Sequence, residues 1–125
     1  MATRSLISRA KEDGTIQAIY CHHDGYPEHC GRILVINYNQ FNLDKIFGEP
    51  KDLSILYAPS KEQDVLQDPS KIAQIPFRSI YELKEKAMNM GCQYLYYFQN
   101  GIWNCMDLSE DCMFDLYEMK YIENA

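Results

Sequence analysis

The sequence predicts an α+β fold: an antiparallel sheet built from an N-terminal and a C-terminal hairpin, with two or three helices packed on it. Three observations predict it. Asp13-Gly14 and Asn100-Gly101 each separate two strand-like stretches, and both dipeptides favour the positive φ angles of a tight hairpin turn. Between them lie two segments whose apolar residues recur at helical spacing, Cys30-Ile33-Leu34-Tyr38 and Ile80-Leu83-Ala87-Met90. The order is then hairpin, helix, irregular segment, helix, hairpin and tail, with no internal repeat.

The first hairpin pairs Arg4 to Ala10 with Thr15 to His22. A two-residue loop at Asp13-Gly14 puts Leu6 and Ala10 on one face with Ile19 and Cys21, and Ile7, Ile16, Ala18 and Tyr20 on the other. Both faces are partly apolar, as in a central strand covered on both sides. A helix follows His23-Asp24-Gly25. Pro27 suits its first turn, where a missing N–H costs nothing, and Glu28 favours the positive end of the dipole and can pair with Arg32. This helix should stop near Asn39.

From residue 40 to 78 the pattern weakens. Leu43, Ile46, Phe47, Leu53, Ile55, Leu56 and Tyr57 read as short buried pieces punctuated by Pro50, Pro59, Pro69 and Pro76. Ser60 to Ser70 reads as a polar surface loop suited to partner contacts. Ser79-Ile80-Tyr81-Glu82 is a capping box, and Gly91 a left-handed C-terminal cap, so Ile80 to Met90 is a helix. Around Asn100-Gly101, Phe98 should face Trp103 and Tyr96 should face Cys105, with Leu95, Tyr97, Ile102 and Met106 on the other side. The acidic tail carries Met113, Leu116, Tyr117 and Tyr121 at roughly helical intervals, which predicts a last short helix. The expected organisation is a single domain over residues 1–125: hairpin and helix 3–39, variable middle 40–78, helix and Tyr/Trp hairpin 79–107, tail 108–125.

The totals narrow the function classes. With 125 residues, 46% hydrophobic and 24% charged, the chain has the composition of an ordinary folded domain. The net charge of -6, from 18 acidic and 12 basic groups, repels nucleic acid at long range, so general nucleic-acid binding is not expected. It suits a basic partner surface and leaves room for a local pocket for one small anion. No run approaches the ~20 apolar residues of a membrane helix, and no signal-peptide pattern opens the chain. Five cysteines, an odd number, read as reduced thiols of a cytosolic protein, with Cys92, Cys105 and Cys112 as small buried hydrophobes. No cofactor is expected.

Chemistry-bearing residues concentrate in Tyr20 to Gly31, which holds all three histidines and two cysteines. Four readings compete. As a metal site, Cys21, His23, His29 and Cys30 are the candidates for ligands at ~2.0–2.3 Å. Their spacing matches no standard knuckle, and His29 and Cys30 diverge by roughly 100° on a helix. As a catalytic set, Cys21 with His23 or His29, oriented by Asp24, has the ingredients of nucleophilic chemistry. As a ligand pocket, Asp24-Gly25 before a helix start presents N–H groups to a phosphate or nucleotide, with His22, Tyr26, His29 and Arg32 around it and Arg4 or Arg9 reaching in. As a structural corner, Asp24 caps the helix, Gly25 takes the left-handed conformation, Tyr26 staples helix to sheet and the histidines satisfy carbonyls. The aromatic hairpin has two readings as well: Tyr97 and Trp103 as a partner-binding face, or one face as core.

The pattern Ser5-x-Ile7, Asp13-Gly14-Thr15 and Ile19-Tyr20-Cys21-His22-x-Asp24-Gly25-Tyr26-x-x-His29-x-Gly31-x-x-Leu34 is similar to that of a family of small proteins of tailed bacteriophages and prophages. Tyr96-Tyr97-Phe98-x-x-Gly101-x-Trp103 also resembles that family's C-terminal hairpin. The likeness covers both ends of the chain and not the middle. It implies phage origin more than any chemistry, and it marks Cys21, His22, Asp24, His29 and Gly31 as the matched positions. Relatives often have Trp in place of His23 and an aliphatic residue in place of Cys30, which argues against both as metal ligands. The expectation that follows is a small cytosolic binding protein, active in the host cytoplasm, that occludes a host protein in counter-defence or host takeover. The alternatives are a nucleotide or signalling-molecule sponge at Asp24-Gly25, and a small hydrolase or transferase using Cys21 or His29.

Overall fold

A computed structural model describes residues 2–67 and 70–109, and the backbone of 112–115. Its centre is β1 (Ser5–Ala10), paired antiparallel with β2 (Ile16–Cys21) and parallel with β5 (Tyr94–Gln99). Beyond β2 come β3 (Leu53–Ile55) and β4 (Asp64–Val65); beyond β5 come β6 (Ile102–Asp107) and β7 (Cys112–Asp115). The order across the sheet is β4-β3-β2-β1-β5-β6-β7. The α+β class stands. The sheet is mixed, however, and not purely antiparallel: the two hairpins join through the parallel β1–β5 pair, and β3 joins β2 in parallel.

Both faces of the sheet are covered. On one lie a wide π-type turn, Pro27–Gly31, which runs into α1 (Arg32–Asn37), and the short α2 (Asp44–Phe47). Leu34, Ile46 and Phe47 pack there against Ile7, Ile19, Tyr96, Phe98 and Trp103. On the other lies α3 (Ile80–Asn89), whose Leu83 and Ala87 join Leu6, Ala18, Leu95 and Met106. Burying a leucine such as Leu34 or Leu83 completely contributes about 2 kcal/mol. Among the described residues no helix is long and apolar enough to cross a membrane.

The second hairpin has the expected register. Phe98 opposes Trp103 and Tyr96 opposes Cys105, around Asn100 and Gly101 at φ 54° and 78°. The first differs by one residue. Its loop is Glu12-Asp13-Gly14, closed by Lys11 N–H donating to Thr15 O (2.8 Å). Asp13 Oδ1 accepts from both Thr15 N (2.9 Å) and Thr15 Oγ1 (2.6 Å), which draws Thr15 into the turn. A one-residue shift exchanges faces, so Leu6 lies with Tyr20 and Ile7 with Ile19.

Helix α3 starts as read, with Ser79 Oγ accepting from Glu82 N (3.2 Å), and Gly91 follows it at φ 76°. The middle segment is part of the sheet: Ser60 to Ser70, read as loop, contains β4. The helix expected in the tail is instead strand at Cys112–Asp115, and Leu116, Tyr117 and Tyr121 lie outside the described residues.

One buried bond links the ends of the chain. Tyr96 Oη donates to Gly25 O at 2.7 Å. Tyr96→Phe strands that carbonyl away from water and should lower the unfolding free energy by about 1–3 kcal/mol in urea melts, with the m-value unchanged.

Candidate functional site

The stretch Tyr20 to Gly31 leaves the end of β2, crosses the edge of the sheet and enters the π-type turn. Alternation along the strand separates its side chains. Cys21 points to the α1 face, where it is fully buried; Tyr20 and His22 point to the α3 face.

Each group is then committed. Tyr20 Oη lies 2.6 Å from His22 Nδ1. The His22 and His23 rings meet edge to face at 4.5 Å, and His23 is exposed. Desolvation and the neighbouring charges of His23 and Arg4 hold the His22 pKa below the ordinary imidazole value. On the opposite face His29 Nε2 bonds Leu56 O at 3.1 Å, tying the helical turn to the segment after β3, and the Tyr26 ring lies 6.2 Å from the imidazole. His22 and His29 therefore stand on opposite sides of the sheet.

The thiols are sealed. Cys21 Sγ donates to His23 O (3.3 Å) and hydrogen-bonds Cys30, which lowers the Cys21 pKa; burial raises that of Cys30. Neither thiol is reachable from solvent, and Cys21 meets a histidine carbonyl, not an imidazole. That arrangement supplies no activated nucleophile. Among the described residues the buried Ser5 Oγ beside them has no partner in hydrogen-bond geometry, although it lies near enough to lower the pKa of both.

Asp24 and Gly25 exchange the roles the sequence suggests. Asp24 takes the positive φ, 53°, and does not cap: the residue before the turn is Tyr26, which makes no side-chain cap. Gly25 is required by space. A Cβ there would come within 2.6 Å of Ser5 Oγ and 2.8 Å of Thr3 O. Its N–H donates to Thr3 O (2.9 Å), and its carbonyl is taken by Tyr96. The N–H that an anion would need at Gly25 is thus already used, and Pro27 has none to offer.

The basic residues proposed to reach in are held elsewhere. Arg4 Nη1 bonds Met90 O (3.4 Å), whereas Arg9 bonds Gln17 Oε1 (3.1 Å) and Asp44 Oδ1 (3.3 Å) and lies over the Phe47 ring. Arg32 is half-buried on the first turn of α1. Among the described residues no three of His, Cys, Asp and Glu gather where they could hold a metal ion, so Cys21, His23, His29 and Cys30 share no centre. Of the clefts on the described surface, five well-formed ones take no lining residue from 20–32.

Of the two residues assigned to a partner face, Trp103 is a core anchor. It is 4% exposed and its Nε1 donates to Tyr38 O at 3.0 Å. Tyr97 is half-buried on the α3 face and lines a cleft. Two residues that sequence reasoning passed over hold the middle segment. Asp52 is buried and accepts from Tyr20 N (2.9 Å), Ser70 N (2.6 Å) and Ser70 Oγ (2.5 Å). Gln63 bonds Tyr57 N (2.8 Å), Tyr57 O (2.7 Å) and the Tyr38 hydroxyl (3.2 Å). An acid among short apolar pieces was the only trace of the first; nothing local marks the second. Compared with protein families, with curated proteins and with solved structures, the chain matches none.

Two outcomes test this assignment of the corner. Gly25→Ala should cost about 1–3 kcal/mol of stability, while Asp24→Gly should be neutral or slightly stabilising; chemical denaturation of both separates crowding at 25 from backbone strain at 24. His22 should titrate below its unfolded value of 6.5 by NMR. A depressed imidazole pKa means that the unfolded chain takes up the proton first. The His22 contribution is therefore intact above about pH 6.5 and falls as pH drops through the window below it.

Proposed function

We propose that this chain is a phage-encoded, non-enzymatic binding protein that acts in the host cytoplasm by occluding a host protein, as an inhibitor in counter-defence or host takeover. Its phage assignment rests on the resemblance carried by Tyr20 to Gly31 and Tyr96 to Trp103. The observation that carries the binding reading is Phe41, whose side chain is 87% exposed on the loop after α1. That loop adjoins the second hairpin: Gln40 Oε1 would lie 3.7 Å from a Cβ at Gly101. Ile36 before it is exposed as well. The variable middle segment and the aromatic hairpin, the two regions the sequence offers for partner contact, thus meet at one end of the sheet. Exposed apolar side chains at such a junction suit a protein partner, and the net charge of -6 suits one with a basic surface. The enzymatic alternative finds less support, because Cys21 is sealed and His29 is committed to Leu56 O.

The test is capture from host lysate, followed by assay of the captured protein with purified chain added. The wild type should retain one host protein and inhibit it. Phe41→Asp should weaken both by about thirtyfold or more, with the fold unchanged. Equal capture by Phe41→Asp, or a captured protein that keeps full activity, would overturn the proposal.

A further inference from the structure

Helix α3 has ten residues, about 15 Å of helix, and covers only part of its sheet face. Beside the N-terminal end of the helix the face is open. Ala10, Tyr97 and Asn104 line a cleft of about 500 Å³ there, a size ordinary for a small-molecule site. Its rim is set by two pairings. Lys11 N–H donates to Thr15 O (2.8 Å) across the first hairpin loop. Ile16 and Phe77 exchange backbone bonds of 2.7 and 3.1 Å, which sets Arg78 beside Thr15. Two cationic residues therefore flank Thr15 on one rim.

Among its described lining residues the charge balance of this cleft is the reverse of the protein's. The chain carries 18 acidic groups against 12 basic, yet the lining includes Lys11 and Arg78 and no described Asp or Glu. The nearby Asp13 carboxylate is bonded to Thr15, and with Glu12 it lines the adjoining cleft. Screening confines the overall negative field to roughly 10 Å at ordinary ionic strength, so the local cations decide what enters.

Among the described residues most of the polar groups here are also uncommitted. Arg4 and Arg9 each have hydrogen-bond partners, and Arg32 and Lys84 have partners too. By contrast the side chains of Arg78, Tyr97, Gln99 and Asn104 make no hydrogen bond or ion pair with any described residue, and Lys11, which also lines the adjoining cleft, feels the Asp13 carboxylate without a direct ion pair. Desolvation raises the Tyr97 pKa, which keeps its hydroxyl a donor. The start of α3 adds little of its own, since Ser79 Oγ is already bonded to Glu82 N.

We propose that this cleft binds a small molecule through a phosphate monoester, with Lys11 and Arg78 holding the phosphate oxygens and Tyr97, Gln99 and Asn104 taking the hydroxyls or ring edges of its body. A guanidinium and an ammonium on one cleft suit a dianionic phosphate, and the three neutral polar groups suit a sugar or a base. The site lies away from the Asp24-Gly25 corner and does not depend on the host-protein reading.

The test is a titration of the full chain, followed by NMR, with AMP, ribose 5-phosphate, adenosine and inorganic phosphate. Both phosphate esters should shift the amides of Lys11, Thr15, Arg78 and Tyr97 and bind at least about tenfold more tightly than adenosine or inorganic phosphate. Their ratio distinguishes a nucleotide from a sugar phosphate. Lys11→Ala and Arg78→Ala, both at exposed positions, should each weaken binding by about tenfold or more, whereas Phe41→Asp should not. The proposal is overturned by shifts that map elsewhere, by no binding at millimolar ester, by indifference to both alanine variants, or by inorganic phosphate or adenosine binding as tightly as the esters.

Discussion

Strand β1 is sealed on both faces, and the rest of the fold follows from that. Ser5, Leu6, Ile7 and Ser8 are all inaccessible to water, so their backbone polar groups must find partners within the protein. β2 takes one edge and β5 the other. Ser8, a hydroxyl in the middle of the sheet, donates to Tyr96 O at 2.6 Å, so it too joins the seam between the two hairpins. A parallel pair cannot be closed by a turn. The chain between β1 and β5 has to travel around the sheet, and it lays α1 and α2 on one face and α3 on the other.

That seam explains which parts of the fold were legible. Asn100-Gly101 and Ser79 act on neighbours within three residues, and both read correctly. Asp13-Gly14 marked a turn but not its length, because the Asp13 carboxylate bonds Thr15 and adds a residue to the loop. The β1–β5 pairing leaves no local mark at all: two apolar strands far apart in sequence look alike whether they meet in parallel, meet antiparallel or never meet. The same holds for Asp52. Its carboxylate is held by groups from positions 20 and 70, and only the folded chain brings them together.

The corner between β2 and α1 was visible as a concentration of reactive residue types, and its location was right. What those residues do was not readable from type. Gly25 looks like a turn glycine but is present because Ser5 and Thr3 leave no room for a side chain. His29 looks like a ligand and spends its ring nitrogen on a loop carbonyl. Trp103 looks like an interface residue, yet its indole N–H closes the end of α1.

Binding capacity is better located by hydrogen-bonding groups left over than by residue identity. A buried donor or acceptor without a partner costs more than a typical bond gains, so a folding chain assigns its dense polar clusters first to its own carbonyls. The Tyr20 to Gly31 corner has been used up in this way; among its described side chains the rings, thiols and main chain largely answer to local or cross-sheet partners. The cleft beyond α3 is the converse. Its residues carry no motif and escape a reading by residue type, yet a guanidinium, two amides and a phenol stand there without hydrogen-bond partners among the described residues, beside an open face. In an acidic chain, two basic residues on one rim give a small anion a local place to bind. The physical asymmetry between a satisfied corner and an unsatisfied cleft therefore points away from the most conspicuous stretch of the sequence.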